Sequence, residues 1–212
     1  MPKLLLATNN PGKIRELRQL LADCGWELVT PSELGLTLSD EEVGSTYEEN
    51  AKMKALKAAQ ASGLHALADD SGLDVQALGG ELGPRSARFG GEGAIYQQKM
   101  ALLLERLQGV QPRPGRGCRF TCVIAIAEPQ GGVYFGQGIC LGVVAEVPRG
   151  EGGFGYDPIF YLPDMGRTMA ELAAEEKNMI SHRARAAQMA RQTLKELLYD
   201  YERGLPTSQP AG

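Results

Sequence analysis

Ala68-Asp69-Asp70-Ser71-Gly72 restricts what this chain can become more than any other stretch. It follows Leu64-His65-Ala66-Leu67, an apolar-leaning run that reads as a strand. Two carboxylates at a strand end are poor core material, because a carboxylate leaving water must be paired or must hold a cation. Mg²⁺ takes hard oxygen ligands, typically carboxylates together with substrate phosphates. On an extended strand Asp69 and Asp70 point to opposite faces. Either one of them serves a site, or the strand has already broken and both reach it. A turn that merely caps the strand is the plainer alternative.

The 212 residues suffice for a large core in one domain or two lobes. A hydrophobic fraction of 43% with 23% charged residues is that of an ordinary globular protein. The net charge of −4 argues against a general grip on a nucleic-acid backbone, which needs a basic face. Cys24, Cys118, Cys122 and Cys140 are scattered without a Cys-x-x-Cys pair, and the histidines are only His65 and His182. A zinc site and a disulfide framework are therefore not expected. Cys118 and Cys122 would share a strand face and pack in the core. Leu4-Leu5-Leu6-Ala7 is too short for a signal peptide or a membrane span, so a cytoplasmic protein is expected.

Lys3 to Ala7 reads as a buried first strand, followed by Thr8-Asn9-Asn10-Pro11-Gly12-Lys13 and a helix bearing Ile14, Leu17, Leu20 and Leu21. Asn10 is the expected N-cap and Pro11 the first helical residue. Free N–H groups there, with Lys13 one turn in, make a potential anion site, although a well-capped turn explains the same residues. Residues 30–46 read as an acidic loop around Asp40-Glu41-Glu42. A second helix starts at Ser45 or Thr46, each with a Glu three positions on, and stops at Gly63. Asn50 and Lys54 share a face of it with Tyr47, whereas Lys52 and Lys57 read as solvated surface.

The glycine-rich stretch 79–93, holding Arg85 and Arg88, reads as a loop. A third helix over 94–107 turns Ile95, Met100, Leu103, Leu104 and Leu107 to the core. Strands are expected over 119–128, 133–141 and 142–147. In Gly152-Gly153-Phe154-Gly155-Tyr156-Asp157-Pro158 the aromatics are either exposed stacking platforms for a base or the packing of a loop folded on itself. Residues 169–177 read as helical, and a long helix follows from Ser181 to about Tyr201. His182 and Arg183 in its first turn oppose the helix dipole, which hints at function. The final stretch, 204–212, reads as a frayed tail after the folded chain over 1–203.

The chain resembles the inosine triphosphate pyrophosphatase, or Ham1-like, family. Thr8-Asn9-Asn10 with Gly12-Lys13, Glu49-Asn50-Ala51 with Lys54, and Asp69-Asp70-Ser71-Gly72 carry the resemblance. Ser86-Ala87-Arg88-Phe89, the loop from Gly152 to Pro158, and Ser181-His182-Arg183 complete it, in the family's order from Lys3 to about Leu198. The resemblance implies an α/β fold with an elongated mixed central sheet flanked by helices, and two lobes with the substrate in the cleft between them. It implies a cytoplasmic, Mg²⁺-dependent homodimer that hydrolyses ITP, dITP and XTP to monophosphate and pyrophosphate, and that binds neither nucleic acid nor membrane. By position, Thr8, Asn9, Asn10, Pro11, Gly12 and Lys13 would hold phosphates with Lys54 beside them. Glu42 and Asp70 would hold the metal, and Asp70 would also activate water. Ser71, Phe154, Gly155, Tyr156, Asp157, Lys177, His182 and Arg183 would contact the nucleotide.

Chemically, triphosphate cleavage needs charge neutralisation, which Lys13, Lys54 and carboxylate-bound Mg²⁺ supply. An Arg183 that only donates hydrogen bonds would donate to a purine 6-keto oxygen and leave an adenine amino group without an acceptor. A γ-phosphatase would use the same metal and lysines, and a non-catalytic nucleotide sensor would not need the acidic set.

Overall fold

The computed structural model describes residues 1–38, 44–91, 93–111 and 115–204. Glu42, with Glu41 beside it, and the tail from 205 onward lie outside the described residues. Seven strands form one sheet in the order β2-β1-β3-β4-β5-β6-β7. They are β1 (Lys3–Leu6), β2 (Glu27–Val29), β3 (His65–Val75), β4 (Gly117–Ala127), β5 (Val133–Val144), β6 (Phe160–Leu162) and β7 (Arg167–Thr168). β1 runs parallel to both β2 and β3, whereas β5, β6 and β7 are antiparallel neighbours, so the sheet is mixed. The helices are α1 (Pro11–Leu20), α2 (Tyr47–Ser62), α3 (Tyr96–Arg106), α4 (Ala174–Ile180) and α5 (His182–Arg203).

The described residues divide into two compact units, one comprising 1–38, 44–70, 122–138 and 183–204, the other 71–91, 93–111, 115–121 and 139–182. In the first, alternation along the strands sorts the core into two layers. Leu4, Leu6, Leu67, Cys122, Ile124 and Ile126 pack with Leu17 of α1 and with Ala186, Ala190 and Leu194 of α5. Leu5, Ala66, Ala68, Val123 and Ala125 pack with Ala51, Ala55, Ala58 and Ala59 of α2. Strands buried on both faces are the signature of parallel pairing covered by helices. Trp26, 2% exposed, joins the first layer and donates its indole N–H to the Leu194 carbonyl at 3.0 Å, satisfying its one polar atom. The second unit has its own core around Leu73, Leu103, Phe120, Ile159 and Phe160, with the rings of Phe120 and Phe160 stacked at 4.2 Å.

The caps follow the local sequence. Asn10 Oδ1 accepts from the N–H groups of Gly12 (2.9 Å) and Lys13 (3.2 Å), with Pro11 at the start of α1. Thr46 and Glu49 form a capping box on α2, which ends at Gly63 with φ +68°. Glycine adopts that left-handed conformation without a Cβ penalty.

Elsewhere the structure departs from the sequence reading. β3 does not stop at the acidic pair but continues through Ser71 and Gly72 to Val75, so Asp69-Asp70-Ser71-Gly72 is strand and not a turn. The strands expected over 133–141 and 142–147 are a single strand ending at Val144, which runs on through Gly142 so that Val143 and Val144 pair with Tyr161 and Phe160. Gly83–Arg88 is a 3₁₀ helix inside the expected loop. Ile95 precedes α3 and is 57% exposed, leaving Met100, Leu103 and Leu107 in the core with Leu104 packed against it. The helix expected over 169–177 is split into a 3₁₀ turn at Met169–Glu171 and α4. Among the described residues no helix is long and apolar enough to cross a membrane.

Candidate active site

In the first unit the site is built on alternation along β3. Leu67 belongs to the layer under α1 and α5, so Asp69, two residues on, faces the same way. Ala66 and Ala68 belong to the layer under α2, so Asp70 faces α2. Both carboxylates are 2% exposed, and each finds its counterions on the helices covering its own side.

Asp69 sits in a closed ion cluster. Arg183, in the first turn of α5 and 1% exposed, donates from Nη2 at 2.9 Å and from Nε at 3.2 Å to Asp69 Oδ2. Its Nη1 donates to Glu16 Oε2 on α1 at 2.6 Å. Lys13 Nζ lies 3.2 Å from Asp69 Oδ1 and donates to the Asp69 carbonyl at 3.2 Å. Burial pushes the Asp69 carboxyl up, but Lys13 and Arg183 outweigh it and hold it well below the ordinary carboxylate range. Burial likewise pulls against the charge on Arg183, and Asp69 and Glu16 restore it. Cys122, 3.9 Å from Asp69 Oδ2, has its thiol pushed up by burial and by that carboxylate, so it is no thiolate nucleophile.

Asp70 is held differently. Lys54 Nζ donates to Oδ1 at 2.8 Å and Asn50 Nδ2 to Oδ2 at 3.2 Å. Asn50 and Lys54 lie one turn apart on α2, as their spacing requires. Asn50 also accepts from the Gly44 N–H at 2.9 Å, tying the chain before α2 to the site. At the start of α1, Thr8 Oγ1 accepts from the Asn10 N–H at 3.2 Å, and Asn9 is exposed. The Gly12 and Lys13 N–H groups, expected to point outward, are taken by the Asn10 side chain.

The second unit holds the loop and helix residues. Asp157, 3% exposed, accepts from the Phe154 N–H at 2.8 Å and from Lys177 Nζ, and that ammonium lies 5.0 Å from the centre of the Phe154 ring. Gly153 has φ +69°, and a Cβ there would collide with the Asp157 carboxylate, which explains the glycine. Tyr156 is 4% exposed, donates its hydroxyl to the Ser86 carbonyl at 2.8 Å and meets Tyr96 edge-on. It is core, not an exposed platform; the partly buried Phe154 is the loop's accessible aromatic. Gly155, next to it, has φ +69°. His182, 4% exposed, stacks on Phe120 at 4.6 Å. Ser71 is partly buried.

The Ham1 family profile matches residues 4–193. The chain belongs to the Ham1 family. It is 50% identical over 200 residues to a dITP/XTP pyrophosphatase of Desulforamulus reducens, covering 94% of this chain and 99% of that protein. A dITP/XTP pyrophosphatase of Thermus thermophilus is 48% identical over 204 residues, covering 96% of this chain and 94% of the relative. Among solved structures, a HAM1 protein from Coxiella burnetii superposes with a TM-score of 0.83 at 40% identity, covering 92% of this chain and all (100%) of that one. The Staphylococcus aureus Ham1 protein gives 0.80 at 39% identity, covering 91% and 98%.

In this Ham1-family chain Arg183 donates from three nitrogens to Asp69 and Glu16 in a buried cluster. Glu16 was not singled out by the sequence. Its only signal is its place on α1 beside the buried Leu17 and one turn from the buried Gly12.

Proposed function

We propose that this protein hydrolyses the purine nucleoside triphosphates ITP, dITP and XTP to the nucleoside monophosphate and pyrophosphate. The observation that carries the reading is near-full-length identity to dITP/XTP pyrophosphatases. The chemistry of the acidic pair supports it. Asp70 offers hard carboxylate oxygens beside the Lys54 ammonium, a donor set that suits Mg²⁺ accompanied by phosphates. Asp69, its Oδ2 committed to Arg183, suits that role less. Asp70, with Glu42, would hold the ion, which when bound neutralises charge developing on the phosphates.

Asp70 is the general base. It takes a proton from water as the water oxygen bonds to the α-phosphorus. The bond from that phosphorus to the bridging oxygen breaks, and pyrophosphate departs with the electron pair. Lys54 and Lys13 offset the triphosphate's charge, and residues 8–12 line the phosphate end. On the nucleotide side, Phe154 offers a ring face and Lys177 a donor, with Ser71, Gly155 and His182 as further contacts. Asp157 and Tyr156 hold that loop in place, and Arg183 holds Asp69. By family, the protein works as a homodimer.

The test is a panel of nucleoside triphosphates with and without Mg²⁺, read by product chromatography. ITP, dITP and XTP should yield monophosphate plus pyrophosphate only with the metal, and ATP should be spared. Diphosphate plus phosphate would replace this reading with a γ-phosphatase.

A further inference from the structure

Ser86-Ala87-Arg88-Phe89 carries the family resemblance, yet the proposed reaction uses none of its side chains. Most of it lies in the 3₁₀ helix Gly83–Arg88, a short element with poor hydrogen-bond geometry of its own. Three hydrogen bonds from other segments hold it in place. Ser86, 2% exposed, accepts at Oγ from the Leu73 N–H of β3 at 3.2 Å. The Ser86 carbonyl accepts from the Tyr156 hydroxyl at 2.8 Å. The next carbonyl, that of Ala87, accepts from Lys99 Nζ on α3. All of these residues belong to the second unit.

Lys99 is the unusual member of this set. It is 7% exposed, and burial pulls against its charge. Among the described residues no carboxylate offsets that charge. Its ammonium meets the Ala87 carbonyl and, at 4.7 Å, the face of the Tyr96 ring. An ammonium taken out of water without a counterion costs stability, and a methionine would fill a similar space without that cost. The fold nevertheless keeps a cation here, donating to the end of the 3₁₀ helix where carbonyls are left over.

Tyr96, one turn before Lys99 on α3, ties the cation to the aromatic loop. Its ring takes Lys99 on its face and Tyr156 edge-on, with the two tyrosine centroids 5.4 Å apart. A Cβ at Gly155 would lie 3.5 Å from the same ring. Gly155 and Tyr156 therefore rest on Tyr96, and the Tyr156 hydroxyl ends on Ser86. Phe154, the loop's accessible ring, stands two residues before Tyr156, and its N–H is held by Asp157. The loop is thus fixed at Tyr156 by the 3₁₀ helix, and the helix by Lys99.

We propose that Lys99 is a positioning residue for nucleotide binding. By holding the Ala87 carbonyl it fixes the 3₁₀ helix, which through the Ser86 carbonyl and the Tyr156 hydroxyl sets where Phe154 meets the nucleoside. That role rests on the hydrolytic reading. Asp70, Lys54 and Lys13, which serve the phosphates, belong to the other unit. Releasing the Lys99 contact therefore weakens the nucleoside end and leaves the breaking bond alone.

The test is a double-mutant cycle in the full-length protein, with Lys99→Met and Tyr156→Phe made singly and together and assayed for pyrophosphate release from ITP with Mg²⁺. Each single variant should raise the KM for ITP about tenfold and keep kcat within about twofold of wild type. Both act through one chain of contacts, so the double variant should be little worse than either single one. Additive effects, about a hundredfold in KM, would mean that Lys99 acts by another route and would overturn the proposal. The products supply a readout that loss of folded protein would not move. Inhibition by IMP should weaken in step with the KM, and inhibition by pyrophosphate should stay at the wild-type level. Thermal midpoints show whether each variant folds, and Lys99→Gln, shorter and uncharged, replaces Lys99→Met in the cycle if the latter does not. An unchanged KM in a folded Lys99 variant, or equal weakening of IMP and pyrophosphate inhibition, refutes the assignment. A wild-type protein that releases no pyrophosphate from ITP overturns the hydrolytic reading instead, so the two failures are told apart.

Discussion

Asp69 and Asp70 are neighbours of equal burial, yet the two faces of β3 use them in opposite ways. On the α1/α5 face Asp69 is locked among a guanidinium, an ammonium and, through Arg183, a second carboxylate. On the α2 face Asp70 is held by the Lys54 ammonium and the Asn50 side-chain amide, both from one helix. A carboxylate locked by Arg183 gives up its partners only at the cost of a buried unpaired charge. One held by a flexible lysine exchanges that partner for a metal ion or a phosphate-bearing ligand at lower cost. The proposed mechanism accordingly gives Asp69 a structural part and Asp70 the chemical one, although nothing in the dipeptide distinguishes them.

The largest expected effect belongs to the reactive side. Asp70→Asn should lower pyrophosphate release from ITP by at least the ~10²–10⁴-fold typical of general-base loss, with the thermal midpoint close to wild type. Near-normal turnover would remove Asp70 from the mechanism. Next comes the structural side. Asp69→Asn should cost about 3–5 kcal/mol in urea unfolding, the usual loss when one member of a buried pair is removed. Its pH signature sharpens the point. The folded carboxyl is depressed below its unfolded value, so between the two the unfolded chain binds more protons. Stability from Asp69 is thus present above the unfolded value and is lost as pH falls toward the folded one. Wild type should weaken on acidification below about pH 4, and Asp69→Asn should show a shallower slope there. A parallel pH profile would contradict the ion-cluster account. The smallest effect is expected from Asn50→Ala, which removes a hydrogen bond to Asp70 and one from Gly44. Unfolding should register about 1–3 kcal/mol, less than for Asp69→Asn. A larger loss would mean that the α2 face is the more tightly held.

Legibility followed distance along the chain. Asn10, Thr46 and Gly63 were readable as caps because each depends on partners within four residues. Opposite faces for Asp69 and Asp70 were available as an alternative, since strand periodicity is local too. The Arg183–Glu16 pair spans 167 positions and the Tyr156–Ser86 bond spans 70, so neither leaves a local trace. Arg183 drew notice for its unfavourable place at a helix start. The carboxylates that compensate it come from β3 and α1, and only the fold brings them there. The acidic pair read as a strand's end because local propensity disfavours Asp in sheets, and those same long-range cations overrode it.

The alanines on the inner side of α2 have an effect beyond filling space. Ala51, Ala55, Ala58 and Ala59 are fully buried, and side chains this short let the helix axis settle close to the strands. That standoff sets how far the Lys54 ammonium and the Asn50 amide extend over Asp70. The reach of two polar groups is thereby governed by methyls that touch neither of them, and a single added methylene in that layer acts as a shim beneath the carboxylate of the proposed general base.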